Sequence, residues 1–147
     1  DIDVVLFTSY QNICYYSQYL YTDFGRNYGL IITQDAHCTV SANIDGGMPW
    51  RQSWKDNIVY TDWHHDNFFI AVREVLKEAK VTSGRMGIEY DEVNLDLKKL
   101  FEKEFDGFEF TDIANQCMKF RLIKSQRGYW YFRLSADYVR STTLFKF

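Results

Sequence analysis

Long apolar runs are missing from this 147-residue chain, and none approaches the length needed to span a bilayer. Proline is nearly absent: Pro49 is the only one, and no Gly/Ser/Pro-rich stretch divides the chain as a linker. The three cysteines, Cys14, Cys38 and Cys117, are odd in number, widely spaced and free of any C-x-x-C pattern. That excludes a disulfide framework and fits small buried hydrophobes in a reducing, cytoplasmic compartment. Neither sign of charge dominates, with 17 Lys and Arg against 20 Asp and Glu and a net charge of −3. A nucleic-acid or membrane-surface partner is therefore not expected. The chain opens Asp1-Ile2-Asp3-Val4 with neither a basic leader nor an initiating Met, so no secretory signal is expected, and a fragment or trimmed product is. The Gly46-Gly47 pair lacks the G-x-x-x-x-G-K context of a phosphate loop.

What is present is apolar and aromatic. Hydrophobic residues make up 46% of the chain, enough for one domain with its own core. Val4–Thr8 reads as a buried strand, and Asn12 as the cap of a short helix carrying Ile13, Tyr16 and Leu20. Tyr28–Thr33 and Cys38–Ala42 read as a hairpin of two strands joined by a polar turn that includes His37. After the Asp45–Pro49 loop, Ile58–Tyr60 is a short strand. Asp66 then caps a helix whose apolar stripe is Phe68, Phe69, Val72, Val75, Leu76 and Ala79. A strand in MGIEY, Met86–Tyr90, precedes a helix capped by Asn94 and carrying Leu97, Leu100, Phe101 and Phe105. Phe108–Thr111 is the last strand. Asp112 heads a final helix with Ile113, Cys117, Met118 and Leu122 turned inward. Alternation of this kind predicts an α/β fold: a single domain with a mixed β-sheet flanked by helices on both faces.

Several patterns invite a chemical reading. Asp23-Phe24-Gly25 spells a kinase metal-binding triplet, but no glycine-rich loop or H-R-D accompanies it. His64-His65-Asp66 lacks a further ligand at zinc spacing, so a solvated loop with Asp66 as cap is expected and no metal. Asp45, Asp56, Asp62 and Asp66 fall at turns and helix starts, where capping explains them. Trp50, Arg51 and Trp54 suit either a subunit interface or burial within the domain. The sharpest pattern is Tyr21-Thr22-Asp23-Phe24-Gly25-Arg26, between two buried elements. It sets one phenyl ring and one guanidinium on a turn. Arg presents a planar fork for a carboxylate, and an aromatic face suits a flat cation or an N-methyl group.

The chain resembles the N-terminal domain of creatinase, in the pita-bread superfamily. The likeness runs from about Asp3 to Ser125 and rests on FTSY at Phe7–Tyr10, Asn12-Ile13, Tyr15-Tyr16-Ser17 and Phe24-Gly25-Arg26. It continues through SANIDGG at Ser41–Gly47, Pro49-Trp50-Arg51, NIVYTDW at Asn57–Trp63 and RLIKS at Arg121–Ser125. Prolidases and aminopeptidases P share the outline, and an N-terminal domain of such a metallopeptidase is a further expectation. The resemblance implies a cytoplasmic homodimer in which each N-terminal domain covers the other subunit's active site. Phe24 and Arg26 would then contact creatine, or a similar small guanidino acid, in trans. In that family a His and two Glu carboxylates of the C-terminal domain hydrolyse creatine to sarcosine and urea, without a cofactor. The expected domains are thus 1–125, creatinase-like and not catalytic alone, and 126–147, a divergent tail. Set beside that family, the chain is expected to lack the helix before Asp3 and the linking helix after Ser125. Tyr129-Trp130-Tyr131-Phe132 in the tail has no helical period and requires a partner or a core. A non-catalytic module pairing with a full-length homologue is the other reading of such a chain.

Overall fold

The computed structural model describes residues 1–22, 25–45, 56–61 and 67–123. Within it the chain separates into two units, Asp1–Asn115 and Gln116–Phe147. The expected cap Asp66, the histidines His64 and His65, Asp62, Gly46-Gly47, Trp50, Arg51, Trp54 and the tail from 126 lie outside the described residues.

Among the described residues six strands form one sheet: β1 (Val4–Phe7), β2 (Gly29–Thr33), β3 (His37–Ala42), β4 (Asp56–Tyr60), β5 (Gly84–Ile88) and β6 (Phe108–Asp112). Their spatial order is β4-β3-β2-β1-β5-β6. β2 is antiparallel to β1 and to β3, whereas β1–β5, β5–β6 and β3–β4 are parallel. Five strands therefore run one way and β2 alone runs back. The carboxyl ends of those five gather at one edge with the amino end of β2: Phe7 lies opposite Leu30, Gly29 opposite Val40 and Ala42 opposite Tyr60. On the far side Leu6 pairs with Ile88 and Ile88 with Asp112.

The described residues include helices α1 (Tyr10–Ser17), α2 (Asn67–Glu78), α3 (Leu95–Glu104) and α4 (Ala114–Leu122). Alternation along the strands shows where the first three pack. A Cβ at Gly29 would press on Phe68 of α2 at 3.1 Å and on Leu6 at 3.4 Å, so α2 covers the face of Leu6, Gly29 and Ile31. α3 joins it there, with Phe101 set against Phe69 and Phe110. The opposite face holds Val5, Phe7 and Gly87. Tyr16 of α1 stacks on Phe7, and a Cβ at Gly87 would lie 2.9 Å from Ile113. The mixed sheet with helices on both faces matches the expectation. The core runs through Val4, Leu6, Ile31, Val40, Phe68, Phe69, Val72, Met86 and Phe101, all buried.

Local departures from the sequence reading have definite causes. Ser9, not Asn12, caps α1, because the Ser9 hydroxyl accepts the Asn12 N–H while the Asn12 side chain is drawn to Glu89. Leu20 lies beyond α1 and is exposed. β5 stops at Ile88, since Glu89 turns in to bond β1's end. His37 begins β3 half-buried, with Nε2 beside the Tyr16 carbonyl at 3.3 Å, rather than standing in the turn. Ile113 and Cys117 are buried as expected, but Met118 and Leu122 are exposed. Asn94 caps α3 as read, accepting the Leu97 N–H at 2.9 Å.

Candidate functional site

Arg26 stands on the segment that brings the chain back to β2, at the carboxyl edge of the five aligned strands. Ligands in open α/β sheets gather at that kind of edge, where loops leave the strands. Gly25 has φ +75°, a left-handed conformation open to glycine at little cost, and nothing lies within 4 Å of where its Cβ would be. The positive φ is what calls for a glycine at this bend. Arg26 is half-buried, not the fully solvated arginine that an isolated surface position would give. Phe24, its expected companion, lies outside the described residues.

Two tyrosines hold this turn from opposite faces of the sheet. Tyr60, the last residue of β4, donates its hydroxyl to the Asn27 carbonyl at 2.8 Å, and its ring meets Phe68 of α2 edge-on. Burial pushes the Tyr60 phenol up to about 12, while the nearby Arg26 charge pulls the other way. Tyr28 faces the α1 side, stacks on Tyr21 with centroids 3.9 Å apart and donates to the Asp45 carboxylate. Its phenol is raised first by burial and then by that carboxylate, as is the buried Tyr19 phenol. Tyr21 also meets Tyr10 and Tyr19, so rings from α1, the following loop and β2's start form one cluster. A small open cavity of about 180 Å³ lies here, lined by Leu20, Tyr21, Thr22 and Asp45. Asp45 closes a short 3-10 turn after β3. The expectation of a turn role for it is met, with the Tyr28 bond in addition.

A second polar assembly sits at the same edge between β1 and β5. Glu89 is buried and takes four donors: the Thr8 and Ser9 backbone N–H groups at 2.8 and 3.0 Å, the Ser9 hydroxyl and the Asn12 amide. All four lone-pair positions of the carboxylate are used. Glu89 therefore anchors the start of α1, which carries Tyr10 to the ring cluster. Neither Glu89 nor Tyr60 could be singled out in the sequence. Glu89 reads as one acid after an apolar strand, and its partners are 77 to 81 residues away.

Among the described residues no group of three His, Cys, Asp or Glu is gathered to hold a metal ion. None of their helices is long and apolar enough to cross a membrane. Cys14 and Cys38 are free thiols.

The model of the Creatinase/Prolidase N-terminal domain family matches residues 1–123. A creatinase from Bacillus sp. (strain B-0618) is 53% identical over 124 residues, which are 84% of this chain and only 30% of that relative's length. A proline dipeptidase from Streptococcus pneumoniae superposes with a TM-score of 0.73 at 17% identity, over 84% of this chain and 89% of its own. The creatinase/prolidase N-terminal domain of an X-Pro dipeptidase from Streptococcus pyogenes gives 0.67 at 16%, over 80% and 86%. At such identities the two structures share the fold, a single mixed α/β domain.

Proposed function

The chain belongs to the Creatinase/Prolidase N-terminal domain family, and from that premise we propose that it is the substrate-contacting, dimer-forming domain of a creatinase-like amidinohydrolase. In this reading Arg26 grips the carboxylate of creatine, or of a similar small guanidino acid, inside the active site of a partner subunit. Phe24 lies against the substrate's N-methyl or guanidinium group. Water attack on the guanidinium carbon, giving urea and sarcosine, is carried by residues of a catalytic portion beyond this domain. The assembly is a cytoplasmic homodimer. The domain takes 1–125, and 126–147 is a separate tail.

The observation that carries the reading is the setting of Arg26. A half-buried arginine rides a glycine-hinged turn at the carboxyl edge, anchored on both sides by tyrosines. A planar fork held this way offers two parallel N–H donors to a carboxylate. The 53% identity to a creatinase, against 14–20% for the prolidase-type structures, supports a guanidino acid over an Xaa-Pro peptide.

The test is a hybrid in which residues 1–123 replace the matching segment of the Bacillus creatinase. It is expected to hydrolyse creatine. Arg26→Ala is expected to raise KM for creatine about 10- to 150-fold, equivalent to about 1.5–3 kcal/mol for a lost charge-assisted pair. A folded, active hybrid whose KM ignores Arg26→Ala would leave the domain a dimer-forming module without substrate contact. Cleavage of Xaa-Pro peptides in place of creatine would move the assignment to the peptidases.

A further inference from the structure

We propose that the domain carries a second small-molecule site, a pocket between β5, β6 and α3 that takes a free aromatic α-amino acid. It shares no residue with the Arg26 turn. A cavity of about 420 Å³ opens here between the sheet and α3. Small-molecule sites span about 300 to 1,000 Å³. Ile88 and Phe110 come from the ends of adjacent strands, on the face that α3 covers, and Phe101 of α3 completes the floor. The turn from β5 to α3 supplies the side wall with Tyr90 and Val93. That wall is preformed. Glu89 is locked by its four donors. Tyr90 gives its backbone N–H to Asp112 at 3.3 Å and its hydroxyl to the Phe110 carbonyl at 3.2 Å. The Glu92 N–H returns to the Glu89 carbonyl at 3.1 Å, and Asn94 then caps α3. Tyr90 is nonetheless 52% exposed, an aromatic surface at an apolar hollow that a bound ring would cover.

The mouth holds one charge of each sign. Lys98 and Glu102 sit one turn apart on α3, both more than half exposed, with Nζ and Oε1 3.5 Å apart. A charge-assisted hydrogen bond measures about 2.7–2.9 Å, so this pair is loosely tied. A simple acid at the mouth meets Glu102 as well as Lys98, and a simple cation meets Lys98 as well as Glu102. A zwitterion satisfies both. Its carboxylate accepts from the Lys98 ammonium, and its own ammonium donates to the Glu102 carboxylate. The apolar floor asks for a side chain without polar groups, and the rings of Tyr90, Phe101 and Phe110 favour an aromatic one. A residue inside a peptide lacks both charges, so the ligand is the free amino acid.

The test is a titration of the isotope-labelled 147-residue chain with L-phenylalanine, followed by the NMR shifts of its backbone amides. Saturable shifts are expected at Tyr90, Val93, Lys98, Phe101 and Glu102, with a Kd of about 1 mM for a ligand of this size. Lys98→Ala and Glu102→Gln change exposed positions and leave the core alone. Each is expected to weaken binding about tenfold, the loss of one charge-assisted contact near the surface. 3-Phenylpropanoate keeps the ring and the carboxylate but lacks the ammonium. It is expected to bind about tenfold more weakly than L-phenylalanine and to lose nothing further in Glu102→Gln. An absence of shifts at these amides up to about 20 mM L-phenylalanine would overturn the site. So would a Kd that ignores both substitutions, or 3-phenylpropanoate bound as tightly as the amino acid, since either removes the paired charges from recognition. None of these outcomes bears on Arg26, which is tested by the KM of the hybrid for creatine.

Discussion

Glu89 shows how much a single buried carboxylate organises at this edge. Its four donors come from three residues of the β1–α1 junction, Thr8, Ser9 and Asn12. Glu89→Gln keeps the shape but turns one acceptor into an NH2 group facing donors. The midpoint of urea unfolding is expected to fall by the equivalent of about 1–3 kcal/mol, with the slope of the transition unchanged. An unaltered midpoint would mean that the four contacts are not made in solution. At this scale the sequence was informative where chemistry is local. Arg26 stood out because a Phe-Gly-Arg string sits between two strands. Tyr60 and Glu89 did not, because the partners that give them meaning are 33 and about 80 residues distant. The cap of α1 failed for the same reason. Ser9 and Asn12 are both competent caps, and only the Glu89 carboxylate decides between them.

Among the elements, α2 and α3 draw their stability from one aromatic cluster. Phe101 touches Phe69, Phe105 and Phe110, and each of the four is at least half-buried. Phe101→Ala is expected to cost about 3–5 kcal/mol, because the rigid neighbours cannot close the cavity. Lys98→Ala on the same helix removes only an exposed pair with Glu102 and is expected to change stability by less than about 0.5 kcal/mol. Comparable losses from both would place α3's stability in its surface charges rather than in its buried face. The stripe on α2 was legible because apolar residues recur every three or four positions along one helix. The inward face of α4 was overestimated. Met118 and Leu122 fit a helical period with Ile113, yet both are exposed, since periodicity reports a possible face and not what covers it.

Over the whole molecule, strand order was the least legible feature. The β2–β3 hairpin follows from a short turn, but placing β1 between β2 and β5 depends on pairings far apart in sequence. That order is what assembles Arg26, Tyr60, Asp45 and Glu89 along one edge. The fold also carries an alkaline weakness. Burial raises the Cys38 thiol from 9.0 to about 11, and the Tyr60 phenol from 10.0 to about 12. The native state thus holds these protons after the unfolded chain has released them. Their contribution is complete below about pH 9 and is lost as pH climbs through about 11 and then about 12. Urea midpoints are expected to decline steadily across pH 9 to 11. A flat profile there would mean that Cys38 is open to solvent.

The claim on which the account turns is that Arg26 serves a neighbour's active site. A mixed dimer of two hybrids measures this directly, one protomer carrying Arg26→Ala with an intact catalytic portion, the other an intact Arg26 with an inactivated catalytic portion. The one working site is expected to bind creatine with the parent's KM, because the guanidinium arrives from the other protomer. A KM as high as that of the Arg26→Ala homodimer would contradict it.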